Sequence, residues 1–105
     1  MLDYTKQKKK YLTVKLPDET TVYISSPRKG LYTKIGTLQE TLKNTDDYEE
    51  LYNEILETSA EILSNNKAKK SFTPEDVDAV FDVEDMALLI VSYGQFAQEL
   101  TKDPN

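Results

Sequence analysis

Residues 11–26 read YLTVKLPDETTVYISS, two alternating runs on either side of a turn. Leu12, Val14 and Leu16 alternate with Tyr11, Thr13 and Lys15, while Val22 and Ile24 alternate with Thr21, Tyr23 and Ser25. A period of two sends the first set to one face of a strand and the second set to the other. Between the runs lies Pro17-Asp18-Glu19-Thr20, where proline presets φ and aspartate can bond the turn backbone. The stretch is a β-hairpin, and no second run of this kind follows it. A two-stranded ribbon is marginal alone, so its apolar face must rest on helices, chiefly against Leu31, Ile35, Ile55, Leu89 and Ile90. Its outer edges carry backbone N–H and C=O groups that can recruit a strand from another chain. Those edges, with Tyr11 and Tyr23 on the opposite face, are the expected self-association surface.

Downstream the period changes from two to the helical one. Ser26-Pro27 offers an N-cap followed by proline at the first helical position. Leu31, Ile35, Leu38 and Leu42 then form one stripe, which predicts a helix over about 27–43. Gly30 and Gly36 weaken it, and each either gives room for close packing against the hairpin or marks a kink or short break. Asn44-Thr45-Asp46-Asp47 caps a second helix over about 46–65, with Tyr48, Leu51, Tyr52, Ile55, Leu56, Ile62 and Leu63 on its apolar face and Asn65-Asn66 as its stop. Phe72-Thr73-Pro74-Glu75-Asp76-Val77 is a strong helix start, with Thr73 as N-cap, Asp76 as its reciprocal acid, and Phe72 and Val77 as a hydrophobic staple. This third helix runs over about 74–81, with Val77, Val80 and Phe81 inward. Asp82-Val83-Glu84-Asp85 then caps a fourth over about 83–101. The expected fold is α+β and mainly helical: one N-terminal hairpin, then about four helices. Residues 11–105 form one domain behind a flexible basic tail, residues 1–10.

Composition narrows the chemistry. The 105-residue chain has no histidine and no cysteine, which removes the commonest neutral-pH base, thiol nucleophiles, disulfides and ordinary zinc sites. Its serines therefore lack a histidine to activate them, and Ser92-Tyr93-Gly94 falls within a helix rather than on the strand-to-helix turn of a nucleophile elbow. The chain reads as a non-enzyme without cofactors. Asp76, Asp78, Asp82, Glu84 and Asp85 invite a metal test, but they sit on helix starts without the alternation, glycine or distal glutamate of a calcium loop. No metal site is expected. No apolar run approaches the roughly 20 residues of a membrane span, and the start MLDYTKQKKKYL lacks a signal peptide's apolar core. A cytoplasmic protein without membrane contact is the plain reading.

Charge is divided along the chain. Residues 1–43 hold nine Lys/Arg against four Asp/Glu, and residues 44–105 hold four against fifteen. The halves attract each other within one fold or between neighbours. A net charge of −6 disfavours nucleic acid, and a helix-turn-helix reading fails because the last helix opens with Glu84 and Asp85 and carries no arginine. On the second helix Glu50, Glu54, Glu57 and Glu61 form an acidic stripe that could dock a basic partner. The last helix carries a wide core stripe, Met86, Leu89, Ile90, Tyr93, Phe96, Ala97 and Leu100, extended by Ala87, Leu88 and Val91. A helix so apolar is either central or shared with a partner. Leu88 and Val91 are the candidate contact residues.

The opening TVKLPDETTVYISSP, the capped helices, the block FTPEDVDAVFDVEDMALLIVSYGQFAQEL and the polar DPN finish together resemble the small tail assembly chaperones of long-tailed phages and prophages of Gram-positive hosts. The likeness spans about residues 11–105 and rests on pattern rather than on a signature residue. It implies a mainly helical α+β fold that binds the tape measure protein and keeps it soluble until the tail tube polymerises around it. It also implies a homo-oligomer in the host cytoplasm, absent from the mature virion. A longer, frameshifted form of the chain is a further implied partner, for which a stop at Lys102-Asp103-Pro104-Asn105 suits the short product. The rival reading is a small acidic inhibitor or DNA mimic that binds a basic partner, motivated by the acidic stretch after residue 43.

Overall fold

A computed structural model describes residues 9–44 and 46–102. The expected basic tail lies outside them apart from Lys9 and Lys10, which are exposed and in no regular element. Strands β1 (Leu12–Lys15) and β2 (Thr21–Ile24) pair antiparallel, with Leu12 opposite Ile24 and Val14 opposite Val22. Four helices follow: α1 (Lys29–Asn44), α2 (Tyr48–Ser64), α3 (Pro74–Val80) and α4 (Val83–Lys102). The fold is α+β and mainly helical.

The hairpin turn is built as its residues dictate. Glu19 N–H donates to the Leu16 carbonyl at 2.8 Å, closing a tight turn with Pro17 at its first central position. Thr20 N–H donates to Asp18 Oδ1 at 3.0 Å, and that donation holds the Asp18 carboxyl below its usual value. Glu19 then takes a left-handed conformation, φ 73°, which lets Leu16 N–H reach the Thr20 carbonyl at 2.8 Å. A type I turn followed by a left-handed residue is a standard three-residue hairpin connection.

α2, not α4, is the central element: it packs against α1, α3, α4 and β2. Its Thr58, Ser59 and Ala60 are all buried, small enough for close approach by neighbours. Ile24, Leu38, Ile62, Leu63, Val77, Met86 and Tyr93 form the fully buried centre, joined by Leu16, Val22, Ile35, Ile55, Leu89 and Ile90. Leu12, Val14 and Leu31 pack on its margin. The apolar face of the hairpin thus rests on helices, as the alternation requires.

Several details depart from the sequence reading. α1 begins at Lys29, with Tyr32 N–H donating to the Arg28 carbonyl at 3.0 Å, so Ser26-Pro27 do not start it. Ser25 and Ser26 stay outside the helix, where their carbonyls accept from the Asn65 side chain at 3.1 and 3.2 Å. Gly30 and Gly36 face open space instead of the hairpin. Tyr48 is 80% exposed and Leu42 46%, because each sits at a helix end beyond its neighbours' reach. Val80, also expected inward, is exposed on the last turn of α3. The remaining boundaries hold: Asp47 caps α2, Thr73 and Asp76 form the reciprocal box on α3, and Asn65 ends α2.

The hairpin also acquires a neighbour on one side. Ile24 bridges antiparallel to Asn66, Ser25 N–H donates to the Asn65 carbonyl at 2.8 Å, and Lys67 N–H donates to the Tyr23 carbonyl at 2.8 Å. Residues 65–67 therefore cover the outer edge of β2. The edge of β1 has no such cover among the described residues.

Candidate partner-binding surfaces

α4 is a 20-residue helix laid on a molecule of principal extents 51 × 31 × 17 Å. A slab this thin holds two layers, so only one side of a surface helix can be covered. Met86, Leu89, Ile90, Tyr93 and Ala97 turn inward at helical spacing and are buried. The other side carries Val83, Ala87, Leu88 and Val91, all exposed, with Leu88 at 68% and Val91 at 51%. The start of the helix is fixed by a reciprocal pair: Asp85 N–H donates to Asp82 Oδ1 at 2.8 Å, and Asp82 N–H donates to Asp85 Oδ2 at 3.0 Å. The stripe is thus held on a well-capped helix. Contiguous exposed apolar residues of this kind are a candidate contact surface.

A groove of about 340 Å³ runs beside it, lined by Leu12, Thr13, Val14, Lys15 and Pro17 on the strand side and by Phe81, Asp85, Leu88, Leu89 and Ser92 on the other. Every strand residue in it belongs to β1 or its turn, and none to β2. Hydrogen-bond direction alternates along an antiparallel strand. Leu16 N–H points to β2, where it meets Thr20, so Val14 and Leu12 point there too. The backbone groups of Thr13 and Lys15 therefore point away from β2, at an edge whose residues line the groove.

On the opposite hairpin face Thr13, Lys15, Thr21 and Tyr23 are exposed, Tyr23 at 49%. Tyr11 is half-buried, with Lys67 Nζ 5.4 Å from its ring centroid. That cation–π contact engages Tyr11 within the chain. The acidic stripe of α2 divides. Glu50, Glu54 and Glu57 line an open shelf with Asp47, Glu49 and Asn53. Glu61 instead meets Lys34 Nζ at 2.8 Å, tying α2 to the basic α1. Among the described residues no group of three or more carboxylates is placed to share a metal ion.

A wider cleft of about 670 Å³ lies between the start of α1 and α2, with Arg28, Glu57, Glu61, Asn65 and Phe72 among its walls. Its walls mix Arg28, Glu57 and Glu61 with the apolar Leu31, Ala60, Phe72 and Pro74. Beside it lies a network that the sequence did not disclose. The buried Tyr93 hydroxyl donates to the Ser25 carbonyl at 2.6 Å and accepts from Asn65 Nδ2 at 3.0 Å. Burial pushes this hydroxyl up to about 12, against the opposing donation from Asn65. Three distant segments, the end of β2, the cap of α2 and the middle of α4, meet there. The available signal was a tyrosine in an apolar stripe, since a buried tyrosine needs a partner for its hydroxyl.

No family model, curated protein or solved structure matches the chain. Among the described residues no helix is long and apolar enough to cross a membrane.

Proposed function

We propose that the protein is a non-catalytic assembly chaperone of the phage tail type, which binds an apolar helical stretch of a tape measure protein in the bacterial host cytoplasm. The observation that carries this reading is the exposed stripe Val83, Ala87, Leu88 and Val91 on α4. An amphipathic client helix presents apolar residues at three- and four-residue spacing and can lie along such a stripe. Binding of this kind requires no chemistry of the surface, and the acids Asp82 and Asp85 at the start of the helix serve its cap. Several copies acting on one long client gain by avidity without further contacts. A self-associating chain suits that task, with a longer form of itself among its possible mates.

The test is co-expression of a tape measure protein with this chain or with Leu88→Asp and Val91→Asp variants, reading the client's soluble fraction. The wild-type chain keeps the client soluble and the variants, still folded by circular dichroism, do not. A client equally soluble with the variants removes the α4 stripe from the mechanism. The acidic shelf of Asp47, Glu49, Glu50, Glu54 and Glu57 favours a second reading, a mimic that binds a basic partner. That reading requires binding that disappears with salt and is untouched by Leu88→Asp.

A further inference from the structure

We infer that two copies of this chain join through β1, antiparallel about a two-fold axis at Val14, making a four-stranded sheet. The inference rests on the self-association within the reading above and gives that association its site. The hairpin has two edges of unlike character. Residues 65–67 already occupy the β2 edge, through the Ile24–Asn66 bridge and the bonds to Tyr23 and Ser25. Along β1 the amides and carbonyls of Thr13 and Lys15 point away from β2, on the edge that borders the groove. With one edge per copy uncovered among the described residues, pairing β1 to β1 uses up both edges and closes as a dimer, whereas two uncovered edges would propagate.

Charge selects the register. Only residues whose backbone faces outward can exchange bonds, so Thr13 and Lys15 are the donors and acceptors. Centring on Lys15 sets lysine against lysine, which is unfavourable directly across a strand pair. Centring on Thr13 sets Lys10 against the apolar Leu16. Centring on Val14 pairs each Thr13 with Lys15 of the second copy, Leu12 with Leu16, and Val14 with itself. It also brings the exposed Lys9 and Lys10 up to the exposed Asp18-Glu19 turn of the second copy. Basic strand entry meets acidic turn, twice by symmetry. An axis perpendicular to the sheet keeps both apolar faces on the same side, so the incoming Leu12 and Val14 enter the groove beside Leu88. A partly buried pair of residues on the core margin is thereby covered.

The chain's lack of cysteine makes the register directly readable. Opposed hydrogen-bonded residues stand about 5.5 Å apart at Cα, inside the disulfide range, while same-residue diagonals at about 7–8 Å fall beyond it. Thr13→Cys mixed with Lys15→Cys and mildly oxidised is expected to give roughly tenfold more linked dimer than either variant alone. Thr13→Cys linking to itself overturns the Val14 register. No linking in the mixture, with a monomer mass by light scattering for the wild-type chain, overturns the dimer and leaves the groove to a segment of another protein. Lys15→Pro removes an outward donor and no bond to β2. It is expected to halve the wild-type mass with the far-ultraviolet circular dichroism unchanged. An unchanged mass with the fold intact also overturns the pairing. Failure here leaves the client test standing with Val91→Asp, a stripe residue outside the groove, so the two readings fall separately.

Discussion

Glu19 holds the left-handed residue of the hairpin turn, φ 73°, with its side chain exposed. A residue with a Cβ loses roughly 1–2 kcal/mol there, and glycine loses none but gives up more freedom on folding. Glu19→Gly is therefore expected to stabilise by about 0.5–1 kcal/mol. Thermal unfolding followed by circular dichroism checks it; a lower midpoint would mean that the glutamate side chain supports the turn. Gly36 is the opposite case. It sits inside α1, and a Cβ built there meets nothing within 4 Å. Gly36→Ala gains helix propensity without a clash, about 1 kcal/mol, read as a higher urea midpoint at unchanged slope. These neighbouring rules act in opposite directions because one backbone is left-handed and the other helical. Pro17 and Asp18 announced the turn from sequence, but nothing in the chain announced that glutamate would occupy its left-handed corner. Nor did spacing reveal that Gly36 faces solvent, since a stripe gives an angle around the helix and not what lies opposite.

Elements whose signal is local were legible, and those set by tertiary partners were not. Thr73-Pro74-Glu75-Asp76 fixed the start of α3 because both halves of the box lie within four residues: Asp76 N–H donates to Thr73 Oγ1 at 3.1 Å, and Thr73 N–H donates to Asp76 Oδ2 at 2.9 Å. Thr73→Ala removes one of these bonds and is expected to destabilise by about 1 kcal/mol, measured by chemical denaturation, with Thr73→Ser retaining most of the stability. At α1 the local signal lost. Ser26-Pro27 is a good N-cap pair, yet Asn65, 39 residues on, claims the Ser26 carbonyl. The centrality of α2 was hidden for a similar reason. α4 is the more apolar helix, but part of that excess lies on its outer face, while α2 buries small polar residues, Thr58 and Ser59, whose hydroxyls find no partner among the described residues. Of the candidate surfaces, Leu88 and Val91 were legible as surplus apolar residues on a helix already supplied with a core stripe. The open β1 edge was only half legible, because the cover over β2 comes from residues that read as a linker.

Across the whole molecule, pH probes how the segments are joined. On the acid side, donation from Thr20 N–H to Asp18 and from Thr73 N–H to Asp76 holds both carboxyls below 3.8 when folded. Depressed folded values give stability that is present above 3.8 and fades as pH falls through them. On the alkaline side the Tyr93 hydroxyl moves from 10.0 to about 12, because its site is closed to water. A raised folded value gives stability that is complete below pH 10.0 and is lost as pH rises towards 12. Tyr52 leans the same way through its donation to Asp78 at 2.8 Å. The stability profile should be a plateau with two falling limbs, and Tyr93→Phe separates the alkaline one. At neutral pH that variant leaves the Ser25 carbonyl and Asn65 amide short of a partner, a loss of about 1–2 kcal/mol. Above pH 10.0 it has no phenol at this site to ionise, so its deficit against the wild type shrinks and then reverses. Urea melts of both proteins from pH 7 to 12 measure the difference. A deficit that stays constant across the range would mean that Tyr93 ionises as freely in the fold as outside it, and that the junction of β2, α2 and α4 is open to water.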